Sequence, residues 1–271
     1  MNLRAAGPAW LFCPADRPER FAKAAAAADV VILDLEDGVA AADRPAARKA
    51  LRETPLDPER TVVRINAAGT DEQARDLDAL ADTPYTTVML SKTESAAQVT
   101  ALAPRDVVAL VETPRGAVFA AEIAAAQGTV AMMWGAEDLV ATLGGSSSRR
   151  SDATYRDVAR HVRSTTLLAA SAFGRIALDA VHLDIRDLEA LRAEADDAVA
   201  VGFDGTVCIH PTQVPVVRDA YRPTEEKLDW ARRVLAAAQT ERGVFAFEGQ
   251  MVDSPVLKHA EMLLRRAGKP A

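Results

Sequence analysis

Eight short apolar runs, each followed by a segment rich in helix-forming residues, repeat along this chain almost to its end. The runs are typical of β-strands: AWLFC (9–13), VVILDL (30–35), TVVRIN (61–66), TTVMLS (86–91), VVALVE (107–112), TVAMMW (129–134), IALDAV (176–181) and GTVCIH (205–210). Their continuous apolar character is typical of parallel strands that are covered on both faces. The first turn, CPADRPER, lacks the GxGxxG pattern that would favour an open dinucleotide-binding sheet. The repeat therefore predicts an α/β fold, a single closed (β/α)8 barrel over residues 1–222.

The last part of the chain, residues 223–271, is not needed to close such a barrel. It contains one extra helical segment, EKLDWARRVLAAAQ, followed by a short apolar run and another helical segment. The most loop-like stretch, GGSSSRR (144–150), falls after the sixth strand and does not divide the chain into separate domains. A tail of this form often docks on a neighbouring subunit, so we expect a homo-oligomer.

The composition limits the partners and the cellular location. A hydrophobic content of 49% in 271 residues is sufficient for a large core, and a net charge of -7 argues against an extended nucleic-acid surface. No apolar stretch approaches the roughly 20 residues that cross a bilayer, and the start of the chain has no secretion-signal pattern. We therefore expect a cytoplasmic protein with no membrane partner. Cys13 and Cys208 lie in apolar runs without metal-ligand spacing, which predicts two reduced, buried thiols.

Polar residues are concentrated at the predicted ends of the strands. In (β/α)8 barrels the carboxyl ends of the strands carry the chemistry, and all of these side chains are expected at one rim. They are Asp34, Glu36, Asp37, Arg64, Asn66, Lys92, Glu112, Glu137, Asp138, His182, Asp184 and His210. The excess of acids over bases predicts a bound cation. Oxygen ligands without a Cys/His pair favour a hard metal, first of all Mg²⁺.

Glu112 and Asp138 end neighbouring strands and are the best-placed direct ligands of Mg²⁺. Glu36 and Asp37 could hold water molecules that are bound to the metal. A single acid after a strand is more often a helix N-cap or a solvated loop residue, so the prediction depends on several strand ends agreeing.

The two basic residues of the rim each have two interpretations. Arg64 would be costly to bury unpaired, and it could form an internal salt bridge to Asp34 or Glu36. It could equally bind a substrate carboxylate in a bidentate manner, which a guanidinium does better than an ammonium. Lys92 could form a Schiff base, but so many nearby acids favour a charged structural partner.

Eight motifs in this order resemble the citrate lyase beta-subunit-like family of the HpcH/HpaI aldolase superfamily, to which the malyl-CoA and citramalyl-CoA lyases also belong. The motifs are WLFCPADRPERF, VVILDLEDGVA, VVRIN, MLSK, VETPRG, GAEDL, CIHPTQV and GQMVDSPVLKHA. They span nearly the whole chain, and the chain is most similar to the short, free-standing mycobacterial type.

The resemblance implies a TIM-type barrel, a Mg²⁺ cofactor bound by Glu112 and Asp138, and an acyl-CoA substrate. It also implies that Arg64 holds the carboxylate or keto-acid end of that substrate. Other residues implied to line the site or receive CoA are Phe12, Arg20, Lys23, Glu36, Asp37, Ile209 and His210. Asp253 matches an acid that related lyases supply to a neighbouring subunit, and a trimer is implied by the same analogy. Without the resemblance, Asp253 would be interpreted as the N-cap of a helix.

The implied reaction is Mg²⁺-dependent cleavage of a carbon–carbon bond in a 3-hydroxy-carboxyacyl-CoA, such as malyl-CoA, citramalyl-CoA or a hydroxymethylglutaryl-CoA-like thioester. The products would be an α-keto acid, or an acetoacetate-type acid, and acetyl-CoA, with Asp253 exchanging the proton of the enolate carbon. Three alternatives stay open. They are an acyl-CoA thioesterase acting on the same substrates, a non-catalytic citrate lyase-type subunit, and an aldolase for free pyruvate without CoA.

Overall fold

Eight parallel strands form a closed barrel in the computed structural model, which describes residues 3–241 and 243–268. Each strand pairs with the next along the chain, and the eighth pairs with the first. The strands are β1 (Ala9–Pro14), β2 (Val30–Asp34), β3 (Thr61–Ile65), β4 (Thr87–Leu90), β5 (Asp106–Val111), β6 (Thr129–Trp134), β7 (Ile176–Asp179) and β8 (Gly205–Cys208). All eight predicted strands and the (β/α)8 fold are confirmed.

One short helix precedes β1, and the other helices follow the strands on the outside of the barrel. They are α1 (Leu3–Ala6), α2 (Phe21–Ala27), α3 (Arg44–Glu53), α4 (Asp71–Ala81), α5 (Ala96–Thr100), α6 (Pro114–Val118), α7 (Ala120–Ala125), α8 (Ala136–Thr142), α9 (Asp157–Ala172), α10 (Leu188–Val201) and α11 (Gln213–Tyr221). Local sequence sets several boundaries. The side chain of Thr70 caps α4 by accepting from the Gln73 N–H, and Gly202 ends α10 in a left-handed conformation with φ of 109°. The helix-rich stretch after the fifth strand, GAVFAAEIAAA, is divided between α6 and α7, and the short helix α8 follows β6.

Alternate residues of the strands fill the barrel interior. Trp10, Val30, Ile32, Val62, Met89, Val108, Leu110, Ala131, Met133, Ile176, Leu178 and Val207 form one buried cluster together with Leu3 from α1. Intervening residues such as Val31 and Leu33 are equally buried, at 2% and 0% exposure, as expected for strands covered on both faces. Because side chains alternate between the two faces of a strand, the next inward positions on several strands lie at the mouth of the barrel.

The described chain divides into two compact units between Val217 and Arg218. The second contains α12 (Glu225–Ala238), the antiparallel hairpin β9 (Phe245–Phe247) and β10 (Gln250–Val252), and α13 (Ser254–Arg266). Its own core is formed by Leu228, Ala231, Val234, Val252, Ala260, Leu263 and Leu264. The apolar run predicted in the tail is therefore a hairpin. The predicted boundary after residue 222, and the docking of residues 223–271 on a neighbour, stay predictions.

Two predictions drawn from composition can also be compared with the structure. Cys13 and Cys208 are both buried free thiols, which confirms the prediction made for them. Within residues 3–241 and 243–268, every helix is too short or too polar to cross a bilayer.

Candidate active site

The inward-facing rows of the barrel continue into its mouth as polar side chains. Phe12, Asp34, Arg64 and Glu112 each lie two residues beyond an interior position of β1, β2, β3 or β5, and all four line a cavity of about 380 Å³. The cavity also contacts Asp37, Leu110, Met133, Gly135, Asp138 and Ile209. The alternation of the strands therefore gives the cavity an apolar floor and a charged upper layer.

Arg64 is held by two carboxylates and an aromatic ring. Its Nε and Nη2 donate to the two oxygens of Asp34 at 2.7 and 2.6 Å, and its Nη1 lies 3.2 Å from Glu36 Oε2. The guanidinium carbon lies 4.6 Å from the centre of the Phe12 ring. Burial alone would lower the pKa of Arg64, but Asp34 and Glu36 raise it. The predicted internal salt bridge is present, and the same guanidinium faces the cavity.

Lys92 connects the acids of three strand ends. Its ammonium bonds to Glu36 and lies 3.3 Å from both Asp37 Oδ2 and Asp138 Oδ1. Its backbone N–H donates to Glu112 Oε1 at 2.9 Å, from a left-handed conformation with φ of 49° that is uncommon outside glycine. Burial would lower the pKa of Lys92, but these acids raise it. A lysine held in its charged form is a poor Schiff-base nucleophile, so the geometry favours the structural role.

Glu112 is a deeply buried acid that lines the cavity together with Asp138. Only 3% of the residue is exposed, and burial together with the charge of Asp138 raises the pKa of Glu112 to about 8. Its carboxylate lies against Gly135, where an added Cβ would be 2.9 Å from Glu112 Oε2. Glycine at this position therefore makes room for the carboxylate beside β6.

Five carboxylates surround two cations at this mouth. Arg64 and Lys92 are the cations, and the carboxylates are Asp34, Glu36, Asp37, Glu112 and Asp138. Burial raises the pKa of Glu36 although Arg64 and Lys92 oppose this, whereas Lys92 lowers the pKa of Asp37 against the effect of burial. Among the described residues there is no cluster of three or more Asp, Glu, His or Cys side chains placed to hold a metal ion. A divalent ion at Glu112 and Asp138 would thus take its remaining ligands from water and substrate.

An aromatic wall, formed by Trp134 and Tyr155, closes another side of the cavity. Their rings meet edge to face with centroids 5.1 Å apart, and both residues line the cavity. Trp134 is fixed by donating from Nε1 to Asp179 Oδ1 at 2.6 Å. Arg149 stacks on the Tyr155 ring, with its guanidinium carbon 3.8 Å from the ring centre.

The loop that carries Tyr155 is anchored by a second charged network. Arg149 Nη1 donates to Glu194 Oε1 at 2.5 Å, and His182 Nδ1 lies 3.0 Å from Glu194 Oε2. These bonds connect the segment after β6 to α10. Sequence patterns do not indicate this role, because the segment around GGSSSRR has no periodicity and Tyr155 belongs to no motif.

Several residues expected at the rim have other partners. Asn66 turns away from the mouth and bonds to Asp76 Oδ2 and to the carbonyl of Leu35, because β3 ends one residue before it. The expectation that Asn66 lies at the rim is therefore wrong. Other expected rim residues bond locally: Glu137 with Ser148, His182 with Glu194, Asp184 with the Arg186 N–H, and His210 with Thr212.

The residues proposed for CoA binding lie in the first connection, and the residue proposed for proton transfer belongs to the second unit. Arg20 and Lys23 are exposed, at the start of and within the first helical connection after β1, where they could receive phosphates. Asp253, in the second unit, is the N-cap of α13 and accepts from the Val256 N–H at 3.4 Å. The roles proposed for Arg20, Lys23 and Asp253 stay predictions.

Comparison with known proteins identifies the family. A family model described as HpcH/HpaI aldolase/citrate lyase matches residues 9–211. The chain is 81% identical to a citrate lyase subunit beta-like protein of Mycobacterium tuberculosis, over 99% of this chain and 98% of that protein. It is 31% identical to the mitochondrial citramalyl-CoA lyase of Homo sapiens, over 86% of this chain and 77% of that protein.

A solved structure agrees with these matches. The crystal structure of protein CitE from Mycobacterium tuberculosis in complex with magnesium, acetoacetate and coenzyme A superposes with a TM-score of 0.95 at 81% identity. The match covers 98% of this chain and 100% of that one. The resemblance read from the eight motifs is confirmed. The chain belongs to the HpcH/HpaI aldolase/citrate lyase family, whose citrate lyase and citramalyl-CoA lyase members are carbon–carbon lyases.

Proposed function

We propose that this protein is a Mg²⁺-dependent lyase that cleaves a carbon–carbon bond in a 3-hydroxy-carboxyacyl-CoA of the malyl-CoA or citramalyl-CoA kind. The products are a keto acid and acetyl-CoA. The observation that carries this proposal is that the guanidinium of Arg64 and the carboxylates of Glu112 and Asp138 line one cavity, where burial and the charge of Asp138 raise the pKa of Glu112. The relatives that bind magnesium, a keto acid and CoA, or that cleave citramalyl-CoA, support it.

The donor set fits magnesium. The charged carboxylates of Glu112 and Asp138 repel each other. Burial and this repulsion together raise the pKa of Glu112 to about 8. A divalent cation would favour the charged form of both groups. Magnesium commonly uses one or two carboxylates and keeps water or substrate oxygens in its other positions, which suits a pair of acids at an open cavity. When bound, the ion supplies charge stabilisation for the carboxylate and carbonyl oxygens of the substrate.

Arg64 would hold the carboxylate end of the substrate beside this pair. A carboxylate entering the cavity meets the guanidinium of Arg64, which lines the cavity although it is also paired with Asp34 and Glu36. The apolar floor, which includes Leu110 and Met133, excludes water around the carbon skeleton. The aromatic wall limits the size of the group on the hydroxyl-bearing carbon.

The reaction is balanced without an oxidant or reductant. The hydroxyl group loses its proton, the bond between the two carbons breaks, and the hydroxyl-bearing carbon becomes the carbonyl carbon of the keto acid. The electron pair of the broken bond passes to the carbon next to the thioester, which then takes up a proton. Asp253, lent by a neighbouring subunit, is the proposed donor of that proton.

A substrate panel tests the proposed function. Purified protein is incubated with malyl-CoA and citramalyl-CoA, first with magnesium and then with a chelator. Keto acid and acetyl-CoA are the expected products, and the chelator should abolish their formation. Malate or citramalate with free CoA would instead show a thioesterase, and no turnover of any thioester would contradict both activities.

Variants test the individual roles. Glu112→Ala and Asp138→Ala should each abolish magnesium-dependent turnover without unfolding the protein. Asp253→Asn should do the same, because asparagine keeps the helix cap but cannot transfer the proton. If the acid is lent across a subunit boundary, mixed oligomers of Asp253→Asn and Arg64→Met subunits should regain activity. Full activity in either metal-ligand variant would contradict the metal assignment.

A further inference from the structure

Asp34 has every oxygen lone pair occupied by a donor of the protein. Its Oδ1 accepts from the Glu36 N–H at 2.9 Å and from Arg64 Nε at 2.7 Å. Its Oδ2 accepts from the Gly38 N–H at 2.8 Å and from Arg64 Nη2 at 2.6 Å. A carboxylate offers about four acceptor positions. Asp34 is thus a fixed counter-charge, with no capacity left to bind a metal or a substrate.

The backbone fixes this carboxylate from two directions. Asp34 and Arg64 are directly opposite each other in the register of β2 and β3, so their Cα positions are set by the barrel. In the turn after β2, the backbone N–H groups of Glu36 and Gly38 both donate to the Asp34 carboxylate. At Gly38 the approach is so close that an added Cβ would lie 2.3 Å from Asp34 Oδ2.

Two nitrogens of Arg64 are used by Asp34, and this determines where the rest of the guanidinium points. The group is planar and binds a carboxylate side-on through its fork, so a bidentate partner fixes its plane as well as its position. The Phe12 ring, 4.6 Å away, restricts the same plane from one side. Arg64 still lines the cavity in this orientation.

We propose that Asp34 is a positioning residue, which acts on the substrate only by setting the orientation of Arg64. The inference rests on the proposed function, in which Arg64 receives the carboxylate of the keto-acid end. Removing the charge of Asp34 should therefore weaken binding of a keto acid but not of CoA, which is expected to bind through other residues.

The barrel contains a matched control pair, Arg48 and Asp76. Arg48 Nε donates to Asp76 Oδ1 at 2.8 Å, and the other oxygen of Asp76 accepts two bonds from Asn66, at 2.9 and 2.8 Å. Asp76 is fully buried, and neither Arg48 nor Asp76 lines the cavity. Asp76→Asn therefore damages a buried arginine–aspartate pair of the same kind without touching Arg64.

The experiment is a double-mutant cycle on ligand binding. Affinities for oxaloacetate in the presence of magnesium, and separately for CoA, are measured by calorimetry for the wild type, Asp34→Asn, Arg64→Met, the double variant and Asp76→Asn. Asp34→Asn should weaken oxaloacetate binding at least about tenfold and leave CoA binding unchanged. In the Arg64→Met background the same substitution should have no further effect. Asp76→Asn should bind oxaloacetate like the wild type.

The outcomes separate this inference from the proposed function. A wild-type protein that binds neither oxaloacetate nor any other keto acid would overturn the proposed function and this inference together. Oxaloacetate binding by the wild type that Asp34→Asn leaves intact, or that falls further in the Arg64→Met background, would overturn the inference alone. An equal loss in Asp76→Asn would do so too. If Asp34→Asn does not fold, Gly38→Ala displaces the carboxylate without removing its charge and should give the same selective loss.

Discussion

Glu112 should make the magnesium-free protein less stable as the pH rises, and Glu112→Gln should remove that dependence. Burial and the charge of Asp138 raise the pKa of Glu112 from an ordinary value of 4.5 to about 8 in the folded protein. The folded state therefore binds a proton more tightly than the unfolded state. The resulting stabilisation is fully present below pH 4.5 and is lost as the pH rises through 8.

The expected magnitude follows from the two pKa values. One pKa unit corresponds to about 1.4 kcal/mol. The full effect is therefore about 5 kcal/mol between low and high pH, of which about 3 kcal/mol falls between pH 6 and pH 9. Glutamine has the shape of the neutral acid and no charge to bury, so a variant with glutamine at this position should lack this decline.

Urea unfolding in the presence of a chelator measures the effect. The free energy of unfolding is determined at pH 6, 7, 8 and 9 for the wild type and Glu112→Gln. All other titrating groups are shared, so the difference between the two curves isolates Glu112. Glu53→Gln removes an exposed acid of α3 and should keep the wild-type slope. Parallel curves for the wild type and Glu112→Gln would refute the reasoning.

Magnesium should abolish this decline in stability. A metal ligated by the charged carboxylate binds more tightly as the proton leaves. With the ion in excess, Glu112 is charged in the folded protein as it is in the unfolded chain above pH 6, so the wild type should lose little stability between pH 6 and pH 9.

Three further predictions concern single side chains. Lys92→Met removes the ammonium that bonds to buried Glu36, so the chelated protein should lose about 3 kcal/mol in urea unfolding, with partial recovery in magnesium. Gly135→Ala puts a Cβ 2.9 Å from Glu112 Oε2, so magnesium-dependent turnover should fall at least about tenfold with an unchanged circular dichroism spectrum. Burial raises the pKa of Cys13 to about 11, so iodoacetamide at pH 8 should alkylate it slowly until the protein is unfolded.

Each of these has a clear contrary result. Wild-type stability in Lys92→Met would mean that the acids do not need their shared ammonium. Wild-type turnover in Gly135→Ala would show that the carboxylate of Glu112 is free to move. Rapid alkylation of Cys13 in the native protein would indicate that the end of β1 opens readily.

The fold could be predicted from the sequence because parallel strands that are buried on both faces have continuous apolar runs, which loops lack. Apart from one terminal aspartate in each, runs such as VVILD and DVVALV are apolar at inward and outward positions alike, and the segments between them are rich in helix-forming residues. The hairpin β9–β10 was less predictable. It is only three residues on each side, and burial patterns along it are mixed, so alternation could not be distinguished from a single irregular run.

The positions of site residues could be predicted where they continue or directly follow a strand. They could not be predicted where a turn or a loop sets the direction of the side chain. Arg64 and Glu112 continue an inward row or directly follow a strand, and both reach the cavity. Asn66 also follows a strand, but its backbone turns toward Asp76 on α4, and nothing in the local sequence indicates that turn. The contribution of Tyr155 depends on a loop anchored through Glu194, which lies 39 positions further along the chain.

The position of the Lys92 ammonium affects how the protein loses and rebinds its metal ion. The Lys92 side chain pairs with Glu36 and Asp138, and its backbone N–H bonds to Glu112. These contacts hold the acids of the site in place when no metal ion is bound. The metal-free protein therefore does not have to refold before it binds a magnesium ion again. Exchange of the metal ion should therefore involve only the residues at the barrel mouth. Metal-free molecules should keep the native fold and remain able to bind magnesium.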